Sequence, residues 1–247
     1  MYFSDSGSGA PLVLIHGIMA DGRMFDQVAE GLRKTHRLIV PDLRGSGRSR
    51  EMPPPYSAKQ EASDIARLMD ALQISVADVL GYSQGGAVAQ QFAIDFPQRV
   101  RRLLLASTYA YNPLTVREKI EGHVVPFLVR VLGMRRFGRL VLSLGLQKLA
   151  ADRAEGVLEM IASQDAANMI GAWKEAMAFD SRAHLERIRN PTLVLAGGQD
   201  KGVPLHHAWM LHAGIPGSQL IVVPDADHAW IWAYPERFVA EVESFLL

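Results

Sequence analysis

Short apolar runs separated by helix-length amphipathic stretches predict an α/β fold: a doubly wound, mostly parallel sheet with helices on both faces. Three observations carry that reading. The runs are continuous and not alternating, as strands covered on both faces must be. Helical periodicity fills the intervals between them, and several runs stop abruptly in loops rich in glycine and aspartate.

Taken in order, Leu12–Ile15 reads as a strand that breaks at His16-Gly17-Ile18, and Arg37–Val40 as one that runs into Pro41-Asp42-Leu43-Arg44-Gly45-Ser46-Gly47-Arg48-Ser49. Pro53-Pro54-Pro55 makes a short stiff loop. A helix is expected from about Ala58 to Gln73, opened by a capping box of Ser57 and Gln60, with Ile65, Leu68, Met69 and Leu72 on one face. Val76–Gly81 and Val100–Ala106 are the next strands. Between Tyr109 and Leu185 the strand pattern lapses. Helical faces recur there, interrupted by Gly122, Pro126, Gly133, Gly138 and Gly145, which marks a helical insertion. Strands resume at Thr192–Gly197 and Leu220–Val223, and Pro235 opens a last helix with Phe238, Val242 and Phe245 on one face.

Composition narrows the function classes. The 247 residues are 49 % hydrophobic, enough for one large core, so one domain with an insertion is the economical organisation. A formal net charge of +0 gives no electrostatic footprint for nucleic acid. The absence of cysteine excludes disulfides, thiolate nucleophiles and thiolate metal sites. No basic leader with an apolar stretch precedes His16, and nowhere do about eighteen apolar residues run together. No integral membrane segment is expected, and the expected location is the cytoplasm.

Gly81-Tyr82-Ser83-Gln84-Gly85 lies between an apolar strand and a small-residue helix, Gly86-Ala87-Val88-Ala89. That is the form of a nucleophile elbow, which exposes one hydroxyl at a strand-to-helix bend. A hydroxyl is a weak nucleophile at neutral pH, so Ser83 needs a base and a group that orients the base. Asp200 follows the strand Thr192–Gly197, and His228 follows Leu220–Val223 through Pro224-Asp225-Ala226-Asp227. Both sit beyond strand carboxyl ends, where open parallel sheets gather their sites. Asp225 and Asp227 are competing acids, although they lie so near His228 that shaping its loop is the simpler role.

In these three residues and their order the chain resembles the α/β-hydrolase superfamily. Leu12–Ile18 is similar to its third strand and oxyanion loop, and Pro41–Ser49 to the loop after its fourth strand. The resemblance covers nearly the whole chain outside the middle and is closest to the lid-bearing esterase, lactonase and C–C hydrolase group. The third strand follows Met1 within about a dozen residues, so the family's usual first strand is not expected and a sheet of about seven strands is. The resemblance also implies a core domain of residues 1–108 and 186–247 with a helical lid at 109–185. The backbone N–H of Gln84, at a helix start, and by resemblance that of Ile18 are the expected oxyanion donors. A serine at position 83 argues against the dehalogenases and epoxide hydrolases of this fold, which use aspartate there.

The expected activity is hydrolysis of a carboxylic ester, lactone or thioester of an apolar small molecule through an acyl-serine. C–C bond hydrolysis and perhydrolysis are its variants, and a slow or non-catalytic hydrolase-fold receptor is the alternative of a different class. In the insertion, Phe127 and Leu128 are candidates for the pocket roof, with Arg130, Arg135, Arg136 and Arg139 either in water or, if one faces inward, available to a substrate carboxylate. His16 is expected to brace the oxyanion loop, and Gly45-Ser46-Gly47 to form a tight structural loop, not a phosphate cradle. His206-His207 with His212 reads as exposed histidines at a helix start. No metal and no cofactor are expected.

Overall fold

A computed structural model of the chain describes residues 1–145 and 149–247. In chain order, β1 (Phe3–Gly7) and β2 (Ala10–Ile15) are followed by α1 (Asp26–Leu32), β3 (His36–Pro41), α2 (Ala58–Ala71), β4 (Ala77–Tyr82), α3 (Gln84–Asp95) and β5 (Val100–Ala106). Next come α4 (Val116–Gly145), α5 (Ala151–Ala162) and α6 (Ala166–Ala178). The chain then returns to the sheet with β6 (Thr192–Gly197), α7 (His206–Gly214), β7 (Gln219–Val223), the short α8 (Trp230–Ala233) and α9 (Pro235–Leu246).

The sheet has 7 strands in the order β1-β3-β2-β4-β5-β6-β7. Only β1 is antiparallel, paired with β3 from Phe3↔Pro41 to Gly7↔Arg37. The apolar runs account for the other strands. β1 escaped them because Phe3-Ser4-Asp5-Ser6-Gly7 is a mostly exposed edge strand, held by backbone bonds to one neighbour and free of any need for apolar side chains.

The continuous runs have a direct packing cause. Alternate residues enter opposite layers: Leu12 and Leu14 join one core with Leu104, Leu193 and Leu195, while Val13 and Ile15 join the other with Leu103, Leu105 and Val194. α1 and α9 cover the first face; α2, α3 and α7 cover the second. At the start of α2, Ser57 Oγ accepts the Gln60 N–H at 3.3 Å, but the Gln60 amide turns forward to Asp64, so only half of the capping box forms.

The insertion's glycines divide into two kinds. Gly133, with φ 69° and ψ 165°, leaves the helical region and breaks α4. Gly138 does not interrupt the helix: a Cβ there would lie 3.0 Å from Ile161 and 3.1 Å from Leu158, so its absence lets α4 and α5 pack closely. Val129, Met134, Phe137, Val157 and Ile161 carry the α1/α9-side core up into these helices.

Candidate active site

Four strand ends build the site. At the end of β4, Ser83 adopts φ 54° and ψ −123°, a strained conformation for a residue with a Cβ. Its surroundings fix it there. Ser83 N–H donates to Ala106 O at 2.9 Å, and Thr108 Oγ1 donates to Ser83 O at 2.6 Å. A Cβ on Gly81 would strike the backbone of Gly85 and Gly86, and one on Gly85 would strike the carbonyls of Ile15 and His16. Strand and helix approach so closely that only glycine fits.

His228 comes from the loop after β7. Its Nε2 lies 3.2 Å from Ser83 Oγ, and its Nδ1 lies 2.8 Å from Asp200 Oδ2. Asp200, beyond β6, is held by its other oxygen, which accepts the N–H groups of Gly202 at 2.9 Å and Val203 at 2.7 Å. Burial alone would push the imidazole pKa down, but the charge and hydrogen bond of Asp200, aided by Asp227, hold it above its ordinary value. Asp227 accepts the Ala229 N–H at 2.8 Å and so shapes the loop. One support was not legible in the sequence: the buried Tyr82 donates its hydroxyl to His228 O at 2.9 Å, fixing the height of that loop.

Ile18 and Gln84 line the same cavity as Ser83, and neither backbone N–H has a hydrogen-bond acceptor among the described residues. Gly17 lets the Ile18 loop close in, since a Cβ there would sit 3.1 Å from Ser83 Cβ. The buried His16 accepts the Leu43 N–H on Nε2 at 2.9 Å, and its Nδ1 lies 2.8 Å from Gly17 O. This pairing defines the Nδ1–H form, and burial keeps the ring neutral. It ties the loops after β2 and β3 together, as a brace and not as a base. Asp42 takes the N–H groups of Gly22 and Arg48, each at 2.8 Å, so Gly45-Ser46-Gly47 belongs to a loop organised by a carboxylate.

Gln84 has an unexpected partner. Its side-chain Nε2 donates at 3.0 Å to Glu61, a carboxyl only 1 % exposed on α2, whose pKa burial drives well above the usual range. A charged residue on the buried face of a helix was the available signal. Below the other side of the site, Glu118 accepts the N–H groups of Leu114 and Thr115, each at 2.7 Å. Burial opposes its ionisation, but these bonds and His207 bring its pKa down to about 2.

Ser83 and His228 open onto a cavity of about 360 Å³. Its wall includes Ile18, Val125, Leu128, Leu140, Val141 and Trp173. Leu128 is therefore where expected. Phe127 is not: it is 61 % exposed and absent from the wall, because one residue along a helix turns a side chain by about 100°. Arg130, Arg135, Arg136 and Arg139 all face solvent; the cations at the cavity are Arg117 and Lys201. The histidine expectation also needs correction. His206 and His207 do open α7, but His207 is buried against Glu118, a residue far away in sequence. A larger recess of about 490 Å³ over Asp21, Arg23 and Arg48 lacks a nucleophile–base pair, and Asp21 there is already bound to Arg23 at 2.7 Å.

Fold and site together define a hydrolytic enzyme. The chain belongs to the alpha/beta hydrolase fold family, which it matches over residues 10–233. It is 32 % identical to the 2-hydroxy-6-oxo-2,4-heptadienoate hydrolase of Pseudomonas putida, over 98 % of this chain and 91 % of that one. Identity is also 32 % to the pimeloyl-[acyl-carrier protein] methyl ester esterase of Neisseria meningitidis serogroup C, over 94 % and 92 % of the two chains. Among solved structures, a thermophilic esterase from Thermogutta terrifontis with malate bound is 30 % identical with a TM-score of 0.89, covering 99 % of this chain and 92 % of that one. Among the described residues, no helix is long and apolar enough to cross a membrane.

Proposed function

We propose that the protein hydrolyses carboxylic esters of apolar, small-to-medium substrates through an acyl-serine, with lactones and thioesters as chemical equivalents. The observation that carries this reading is the hydrogen-bonded series Ser83–His228–Asp200 opening onto a largely aliphatic and aromatic cavity. Ser83 Oγ attacks the carbonyl carbon as His228 Nε2 takes its proton, and the Asp200 carboxylate holds the imidazole and stabilises its charged form. The oxyanion accepts the N–H groups of Ile18 and Gln84, donors of a kind each worth about 3 kcal/mol in the transition state. Collapse expels the alcohol, which takes the proton from His228. Water activated by the same imidazole then attacks the acyl-serine, and Ser83 recovers its proton as the acid departs.

In this reading residues 109–185 are a lid, and α4 and α6 supply most of the apolar wall opposite the elbow. The wall excludes water during attack and selects the acyl or alcohol group. The Pseudomonas relative makes hydrolysis of a C–C bond in a dienoate the second reading. Pre-steady-state kinetics test both. A burst of p-nitrophenol equal to the enzyme concentration, with slower turnover of a dienoate, supports the ester reading; a preference for the dienoate reverses the order, and turnover of neither substrate overturns both.

A further inference from the structure

We propose that Glu118, His206 and His207 form a binding site for one divalent transition-metal ion, best suited to zinc, that fastens the start of α4 to the segment following Asp200. The donors come from two separate parts of the chain and converge. Glu118 Oε1 lies 3.3 Å from His206 Nε2 and 3.0 Å from His207 Nε2, and all three atoms fall within 4.8 Å of one another. Ligands at about 2.0–2.1 Å from a tetrahedral ion are separated by about 3.3 Å, close to the two separations from Glu118 Oε1. Glu118 is already oriented, since its other oxygen is bound to the Leu114 and Thr115 N–H groups.

An ion pair alone explains only part of the cluster. The His207 Nε2–H can donate to Glu118, but His206 Nε2 is then buried with no hydrogen-bond partner. A metal ion would engage both Nε2 lone pairs and the carboxylate together, which satisfies His206 Nε2 and leaves His207 Nδ1 as the buried nitrogen without a partner. Two imidazoles and one carboxylate favour zinc and its neighbours over magnesium or calcium, which take oxygen ligands.

The test uses the full chain without an affinity tag, stripped with a chelator and titrated with zinc chloride by calorimetry. One equivalent should bind and raise Tm. His206→Ala should weaken binding by about 100-fold or more, because loss of even an outer-shell partner costs up to about that much. It should leave the Tm of the metal-free protein unchanged, since His206 Nε2 makes no hydrogen bond there. Cobalt bound in place of zinc should show the visible bands of a tetrahedral centre, absent in His206→Ala. Glu118→Gln should also lose the ion, but it alters the cap of α4, so the decision rests on His206→Ala. Failure of the wild-type chain to bind one equivalent, or wild-type affinity in His206→Ala, would overturn the proposal.

Discussion

The loops at the carboxyl ends of β4, β6 and β7 hold their side chains by backbone, whereas the helices between β5 and β6 hold theirs mainly against one another. Ser83 is fixed by Ala106 O, Thr108 and two glycine contacts, and Asp200 by two N–H groups. In α4, Val124 and Leu144 border the cavity yet are 41 % and 66 % exposed, and Gly133 interrupts the helix between them. The difference assigns the tasks. In the proposed mechanism the bond-making groups need fixed positions, while a wall of aliphatic side chains can be rebuilt by substitution without disturbing them.

Substitutions at the elbow should have the largest effect. Ser83→Ala should lower kcat for an ester by about 10⁶-fold, and Asp200→Asn by about 10⁴-fold, with thermal unfolding of Ser83→Ala unchanged. Asp200→Asn keeps an oxygen for the Gly202 and Val203 N–H groups but turns an amide towards His228. A residual rate in Asp200→Asn within tenfold of the wild type would move the orienting role to another acid.

Electrostatics give the next effect. Because Asp200 and Asp227 outweigh burial at His228, kcat/KM for a neutral ester should fall on the acid side through one ionisation lying above the ordinary imidazole value of about 6.5. In Asp200→Asn the midpoint should drop, since burial remains and the main opposing charge is gone. NMR titration of the imidazole in Ser83→Ala and in the double variant reads both midpoints directly.

The wall should respond more gently. Up to the capacity of the cavity, each added acyl methylene should raise kcat/KM by about fourfold, the equivalent of about 0.8 kcal/mol. Leu128→Ala should flatten the acetyl-to-hexanoyl profile and Phe127→Ala should leave it unchanged. Equal effects of the two substitutions would contradict the helix orientation that separates them.

Glu61 supplies the smallest effect, read in stability. Its folded-state pKa lies above the unfolded value, so its contribution to stability is present below about pH 4 and is lost as pH rises towards the folded value. Glu61→Gln should therefore unfold at a higher temperature than the wild type at pH 7, by a margin that vanishes near pH 4. A margin independent of pH would mean that Glu61 is ionised in the folded chain.

Legibility in the sequence follows the same division between regions. Ser83, Asp200 and His228, which the structure brings into one hydrogen-bonded series, could be singled out because strand ends and glycine spacing leave local signatures. β1 left none, as an exposed edge strand needs only backbone. Glu118 with His207, and Glu61 with Gln84, are pairings set by tertiary packing between distant segments, and no local period encodes them. Phe127 and Leu128 are both apolar, so composition could not tell which faces inward; the rotation of one helix decides it.

Covalent labelling tests whether Ser83 is the nucleophile. Treatment with a fluorophosphonate followed by peptide mass spectrometry should find one adduct per chain, on Ser83, with loss of ester hydrolysis in step with labelling and no adduct in Ser83→Ala. An enzyme that hydrolyses esters while Ser83 stays unlabelled, or that is inactivated by an adduct elsewhere, would contradict the account.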